Sequence, residues 1–191
     1  MTISYKDAFS GGKAESHRLL ELAITDHIKD SDKAGRLVAE MKTGSMGKPY
    51  IDGFDCFSIS HSNDVWAVLF DGRECGLDIQ HRRNSDILSI SGRVYSPQDE
   101  KLIRDAYEAD PEEGRTVFFR IWSRREALAK AMGGTVFDSG LPSVAEDRVA
   151  VDGRIYTVKD IKLPCLPELF AAICVEGETD AAGTCIDYRN M

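Results

Sequence analysis

Two acids and an amide could gather around a hard cation. In Glu74-Cys75-Gly76-Leu77-Asp78-Ile79-Gln80, Leu77 and Ile79 alternate with Asp78 and Gln80, the period of a β-strand. The apolar pair is expected to face a core while Asp78 and Gln80 project together from the opposite face. A carboxylate and a carboxamide side by side can hold a cation such as Mg²⁺ through oxygen. Taken alone, the stretch is more simply an edge strand with one wet face. Trp122-Ser123-Arg124-Arg125-Glu126-Ala127-Leu128-Ala129-Lys130 brings a further acid. On a helix Trp122, Glu126 and Lys130 fall at i, i+4 and i+8, on one face. The ordinary meaning of that spacing is an exposed Glu–Lys pair beside a half-buried Trp, contributing about 0.3–0.5 kcal/mol. The catalytic meaning is that Glu126 meets Asp78 and Gln80 across a junction. Water and a substrate phosphate would then complete octahedral Mg²⁺, and Lys130, one turn on, would set positive charge beside a phosphoryl group.

Two smaller groups are weaker signals. In Phe57-Ser58-Ile59-Ser60-His61-Ser62 the Ser–His neighbours suggest a nucleophile and base. Adjacent strand residues point to opposite faces, however, so they do not readily form that pair, and no G-x-S-x-G elbow surrounds either serine. A Ser-His-Ser turn at a strand end could instead donate to phosphate oxygens. Gly47-Lys48-Pro49 lacks the rest of a Walker A motif and by itself reads as a turn. No Rossmann glycine pattern occurs.

The elements that must position these groups follow from periodicity and turn chemistry. Residues 1–12 read as a short strand and a loop. A helix starts at Lys13, with Leu19, Leu20, Ala23, Ile24 and Ile28 along one side. Ser31 or Asp32 can cap a second helix that ends near Thr43-Gly44. Strands are expected at Phe54–Ser60 and Val65–Phe70, separated by His61-Ser62-Asn63-Asp64. Asp71-Gly72 is a hairpin signal, so Trp66–Phe70 is expected to pair antiparallel with Glu74–Gln80. Ser96-Pro97 and Asp110-Pro111 each place a cap before a proline, opening helices that run to about Ala109 and to Gly133-Gly134. A loop at Asp138–Ser143 precedes strands at Val149–Val151, Ile155–Val158 and Leu169–Val175. Helices precede strands in each half, so the class is α+β. Two similar lobes, 1–73 and 74–191, are expected to meet at the Glu74–Gln80 strand.

Composition narrows the function. The 191 residues are 42% hydrophobic and 29% charged, ordinary for a globular chain with a real core. A formal charge of −8 and a pI near 5.0 speak against nucleic acid, whose binding rests on neutralised phosphates. A local basic cleft could still take a small anion. The longest apolar runs are far too short for a bilayer, and Met1 to Lys13 has no signal-peptide h-region, so no membrane role and a cytoplasmic location are expected. The five cysteines, Cys56, Cys75, Cys165, Cys174 and Cys185, show neither CxxC spacing nor a zinc pattern and read as core filling.

In this order and spacing, the four motifs resemble the 4'-phosphopantetheinyl transferases of the Sfp type. They are Gly47-Lys48-Pro49, Phe57–Ser62, Gly76–Gln80 and Trp122–Lys130, and weaker likeness runs from about Lys13 to Val175. The resemblance implies a fold of two α+β lobes forming a pseudo-dimer in one chain, hence a monomer, with its site at the lobe junction. It implies transfer of the 4'-phosphopantetheine arm of coenzyme A to a serine of an apo acyl or peptidyl carrier protein, releasing 3',5'-ADP. Asp78, Glu126 and Gln80 would then hold Mg²⁺ at the coenzyme A pyrophosphate. Glu126 would take the serine proton and Lys130 would stabilise phosphate charge. Lys48, Ser60 and His61 would hold the coenzyme A phosphates and adenine side, with Lys13 and Arg18 near the 3'-phosphate.

Three departures stand out. Gln80 occupies a position where the family often has Glu, which removes one negative charge and predicts weaker Mg²⁺ affinity. Arg125 replaces the usual Lys before the glutamate and keeps its charge for phosphate. The N-terminal region is short for the type. Two competing readings follow: a coenzyme A or carrier-protein binding module without turnover, and a Mg²⁺-dependent phosphohydrolase. Docking of an acidic carrier would need a local basic or apolar patch, with Arg93, Arg104 and Arg124 as candidates.

Overall fold

In a computed structural model, residues 1–138, 140–164, 166–179 and 186–191 are described. Cys165 and Cys185 lie outside the described residues. The chain forms β1 (Thr2–Lys6), α1 (Lys13–Ile28), α2 (Ser31–Ala39), β2 (Lys42–Thr43), β3 (Pro49–Tyr50), β4 (Cys56–Ser62), β5 (Val65–Asp71) and β6 (Cys75–His81). It continues through α3 (Ile87–Val94), α4 (Pro97–Ala109), α5 (Pro111–Met132), β7 (Arg148–Val151), β8 (Arg154–Ile161), β9 (Leu169–Glu176) and β10 (Asp187–Asn190). No helix among the described residues is long and apolar enough to cross a membrane.

Two four-stranded sheets carry the fold, ordered β10-β1-β5-β4 and β6-β9-β8-β7. Alternation on each strand sends one set of side chains inward and one outward. Ile3, Tyr5, Val65, Ala67 and Leu69 meet Cys75, Leu77, Ile79, Ala171, Ile173 and Val175 in a core between the sheets. The outer face of the first sheet, with Phe57, Trp66, Val68 and Phe70, packs on Leu19, Leu20, Ala23 and Ile24 of α1. The outer face of the second, with Tyr156, Val158, Ala172 and Cys174, packs on Phe118, Ile121, Leu128 and Ala131 of α5. The layers therefore run helix, sheet, sheet, helix, a mixed α and β architecture.

The expected pairing of Trp66–Phe70 with Glu74–Gln80 is not formed. β5 pairs with β4 and β1, while β6 pairs antiparallel with β9, Asp78 opposite Ala172. Asp71 explains the difference: its carboxylate accepts from the Arg73 backbone N–H at 3.0 Å and from the Arg73 guanidinium at 2.8 Å. That local turn hands the chain to the second sheet instead of folding it back. The second helix stops at Ala39, with Asp30 as its cap, because Lys42–Thr43 pairs with Pro49–Tyr50 around a turn at Gly44–Lys48. Ser96 and Asp110 cap α4 and α5 as their positions require.

The two sheets are also stitched edge to edge by a row of serines. Ser58, Ser60 and Ser62 of β4 accept from the backbone N–H groups of Leu77, Ile79 and His81 at 3.0, 3.1 and 2.9 Å. Each hydroxyl meets a donor nineteen residues on, so β4 and β6 run side by side in the same direction. The row satisfies N–H groups of an edge strand that no neighbouring backbone reaches.

Candidate active site

Gly76 lets the site exist. A Cβ there would lie 1.9 Å from the Ala127 carbonyl oxygen and 2.6 Å from the Ala131 nitrogen, so the backbone of α5 rests directly on β6. Asp78 shares that strand face by parity and is only 5% exposed. Asp78 and Gln80 therefore do lie on one face, but the expected wet face is covered by α5. Burial of Asp78 is possible because its charge is answered. Lys130 Nζ reaches Asp78 Oδ1 at 2.8 Å, Ser60 Oγ at 3.1 Å and the Leu77 carbonyl at 3.1 Å. The Ser60 hydroxyl in turn donates to Asp78 Oδ1 at 3.0 Å.

Glu126 lies one turn before Lys130 on α5, half-buried, close enough to Asp78 for the two carboxylates to repel. Burial, then the Asp78 charge, holds the Glu126 carboxyl above the usual range, against the pull of Lys130. Asp78 is raised as well, by burial, opposed first by Lys130 and then by Ser60 and the Ile79 N–H. Two neighbouring carboxyls of raised proton affinity form a pair suited to sharing a proton or a cation. Asp78 Oδ2 is buried and has no hydrogen-bond partner among the described residues. An orphaned acceptor of this kind is the donor a hard cation would use. No group of three His, Cys, Asp or Glu is placed to hold a metal among the described residues, so any ion would draw further oxygens from Gln80, water or substrate. Gln80 is half-buried and its amide nitrogen donates to the His81 carbonyl at 3.3 Å.

Glu126 and Lys130 open onto a cleft of about 360 Å³ whose opposite wall is Gly47-Lys48-Pro49 with Ser58 and Ile59. Lys48 Nζ lies 2.8 Å from Glu74 Oε2; burial opposes its charge most, yet Glu74, Cys56 and Cys75 together outweigh it and hold the ammonium above its usual value. A neighbouring cavity of about 470 Å³ shares Gly47, Pro49 and Ile59 and is lined by Lys13, His17 and His61. The structure thus sets Lys13 and His61 in one cavity and Lys48, Glu126 and Lys130 in the next, parting His61 from the Lys48 with which the resemblance grouped it. Arg18 is 62% exposed beside Glu15. Ser60 is buried in the seam with its hydroxyl fully engaged.

Two arginines behave differently from their expectations. Arg125 is 3% exposed and donates to the Val136 and Leu141 carbonyls, so it fastens the loop after α5 and does not face the cleft. Arg124 is fully buried between the Val144 and Glu146 carbonyls, Asp147 and Asp160, which rules it out as an exposed docking group. The side chains that sequence reasoning missed are Met46 and Phe137, 53% and 74% exposed on the rim of the Glu126 cleft. Nothing in their spacing singles them out; the loops that carry them meet only in three dimensions.

Residues 74–163 match the family model described as the 4'-phosphopantetheinyl transferase superfamily. The chain is similar to the 4'-phosphopantetheinyl transferase AcpT of Salmonella typhimurium, 37% identical over 114 residues covering 54% of this chain and 57% of that protein. Similarity to the 4'-phosphopantetheinyl transferase HetI of Nostoc sp. is 31% over 115 residues, 56% of this chain and 45% of the relative. The 4'-phosphopantetheinyl transferase psf-1 of Bacillus pumilus is 29% identical over 133 residues, 68% and 54% of the two chains. The chain spans about half the length of these curated relatives. The matched segment contains Asp78, Glu126 and Lys130 and leaves out Lys13, Lys48 and His61.

Proposed function

We propose that the chain is a 4'-phosphopantetheinyl transferase, the superfamily whose model its residues 74–163 match, and that it moves the 4'-phosphopantetheine arm of coenzyme A onto a serine of an apo acyl or peptidyl carrier protein. The observation that carries the reading is Glu126, a half-buried carboxyl of raised proton affinity facing Asp78 at the cleft. A base of that kind takes a hydroxyl proton more readily than an exposed carboxylate does. The carrier serine oxygen attacks the phosphorus that bears pantetheine, its proton passes to Glu126 or to a water Glu126 orients, and 3',5'-ADP leaves. Phosphoryl transfer asks the protein chiefly for positioning and charge.

Lys48 and Lys130 supply cationic charge on facing walls of the cleft. Lys130 also opposes the burial that raises the Asp78 carboxyl. Lys13 opens α1, whose Gly12 cap makes no side-chain hydrogen bond. With His61 across the same cavity, it suits the 3'-phosphate, since a helix N-terminus and an ammonium both favour an anion. Arg18, five residues further along α1 and exposed beside Glu15, lies outside that cavity's lining and would join them only by swinging its long side chain inward. Asp78, Glu126 and Gln80 fit Mg²⁺ through the unpartnered Asp78 Oδ2 and the mutual repulsion of the acids. When bound, that ion would offset the pyrophosphate charge. Gln80, being neutral, makes the site one charge poorer.

We also read the chain as Sfp type: lobes 1–73 and 74–191 forming a pseudo-dimer, monomeric and cytoplasmic. The support is one long helix packed on the outer face of each sheet, although β10 returns to the edge of the first sheet. Incubation with coenzyme A, Mg²⁺ and an apo carrier protein, followed by mass spectrometry of the carrier, tests the activity. Gain of the phosphopantetheine mass is expected. Unmodified carrier with intact coenzyme A would instead indicate a binding module, and coenzyme A cleaved without carrier would indicate a phosphohydrolase.

A further inference from the structure

The serine row has a first rung that is not serine. Cys56 precedes Ser58 by one repeat and Cys75 precedes Leu77 by one repeat, so they stand nineteen residues apart like every other rung. The parallel run of β4 and β6, fixed by the three serine rungs, carries that register back one step and sets Cys56 beside Cys75. The Cys56 thiol donates to Glu74 Oε2 at 3.6 Å. Cys75 is fully buried, whereas Cys56 is half-exposed and lines a cavity of about 570 Å³ together with Lys48 and Glu74.

We propose that Cys56 is an oxidisable nucleophilic thiol, with Cys75 as its resolving partner, so that a hydroperoxide closes a disulfide across the β4–β6 seam. The geometry supplies the requirements for such a site: a partly exposed sulfur on a cavity wall, a cationic side chain on the same wall, and a second cysteine on the facing rung of the adjacent strand. The groups around Cys56 are Cys75 and Glu74 at the start of β6 and Lys48 before β3; Asp71 acts on Cys75 and Arg154 on Glu74. The Cys75 thiol, then Lys48 and the Cys75 N–H, outweigh burial and Glu74 and lower Cys56 to about 7. Cys75 is pushed up by its neighbour Cys56 and by burial.

In the first step the Cys56 thiolate attacks the O–O bond of the hydroperoxide. A sulfenic acid forms and an alcohol, or water from hydrogen peroxide, departs with one proton. In the second step the Cys75 sulfur attacks the Cys56 sulfur, and the sulfenic hydroxyl leaves as water with the Cys75 proton. Two thiols lose two electrons and the hydroperoxide gains them. The inference stands whether or not the chain transfers phosphopantetheine.

The test is peptide mapping of the full-length chain after a stoichiometric dose of hydrogen peroxide, with remaining thiols alkylated under denaturing conditions. A Cys56–Cys75 linkage and a mass loss of two hydrogens are expected. Cys56→Ser restores the repeat of the row, so it should fold with unchanged circular dichroism and leave Cys75 reduced. Cys75→Ala should stop at a Cys56 sulfenic acid, trapped by dimedone. In the native chain, the pH profile of Cys56 alkylation should bend near 7, more than a unit below the ~8.5 of free cysteine. Cys56 and Cys75 still reduced at a dose that oxidises added free cysteine would overturn the proposal. So would a disulfide joining Cys56 to any other cysteine.

Discussion

Each sheet is covered by one long helix, yet only one of the two helices touches its sheet with backbone. α1 stands on Trp66, Phe57 and Phe70, whose rings hold it away from the strands, and Trp66 Nε1 donates to Ser16 at 2.9 Å across that gap. α5 rests on Gly76 with no side chain between. The large core under α1 is apolar but for that one bond. The close approach under α5 brings Lys130 and Glu126 onto Asp78, so the charged groups meet where the sequence gives up side-chain volume. Two layers of similar build thus differ by one residue's bulk.

The largest effect on stability should come from breaking that contact's electrostatics. Lys130→Met leaves Asp78 buried without its cation, which costs about 3–5 kcal/mol when one partner of a buried pair is removed. Chemical denaturation at neutral pH reads it, and the loss should shrink at acid pH as Asp78 takes a proton. Gly76→Ala should cost about 1–3 kcal/mol or more, because the new methyl overlaps backbone that has no rotamer to give. A glycine-to-alanine change at a helix face with open space would not. If Gly76→Ala left the melting temperature unchanged, the backbone contact would not be what positions α5. Ser58→Ala removes the acceptor of the Leu77 N–H and should cost about 1 kcal/mol, seen also as faster amide exchange at Leu77. The smallest effect concerns the ion: Gln80→Glu should tighten Mg²⁺ binding in calorimetry without altering the fold. Unchanged affinity would remove Gln80 from the ion's surroundings.

Local signals in the sequence carried well. Ser96-Pro97 and Asp110-Pro111 announce α4 and α5, and Leu19 through Ile28 announce α1, because caps and a helical stripe are written within a few residues. What fails is non-local. Asp71-Gly72 has hairpin composition, but the Asp71 carboxylate folds Arg73 back on itself and β6 finds β9 about a hundred residues later. The helix at Ile87–Val94 was missed for want of a stripe longer than two turns. Alternation correctly put Asp78 and Gln80 on one face, yet it could not say that α5 covers that face. The same limit hides the serine row: Ser58, Ser60 and Ser62 look like a polar strand face until β6 lies alongside. Family resemblance reached Asp78, Glu126 and Lys130 together, while the rim residues Met46 and Phe137 carry no pattern.

The pH behaviour of Glu126 joins stability to function. A carboxyl whose folded pKa is raised keeps its proton in the folded chain over a window where the unfolded chain has lost it. Below the unfolded value the group costs nothing; the penalty grows as pH rises from the unfolded to the folded value and is complete above it. Glu126→Gln removes that penalty. At neutral pH it should therefore raise the melting temperature, by about 2–4 °C for each kcal/mol relieved, and the gain should vanish in acid.

The central claim is that Glu126 is the base of a phosphopantetheine transfer, and one comparison reads it most directly. Native chain and Glu126→Gln are each incubated with coenzyme A, Mg²⁺ and an apo carrier protein, and the carrier is weighed over time. The account predicts a carrier that gains the phosphopantetheine mass with the native chain, and a rate lower by about 10²–10⁴-fold with a variant that melts no earlier. A Glu126→Gln variant that loads the carrier at the native rate would contradict it.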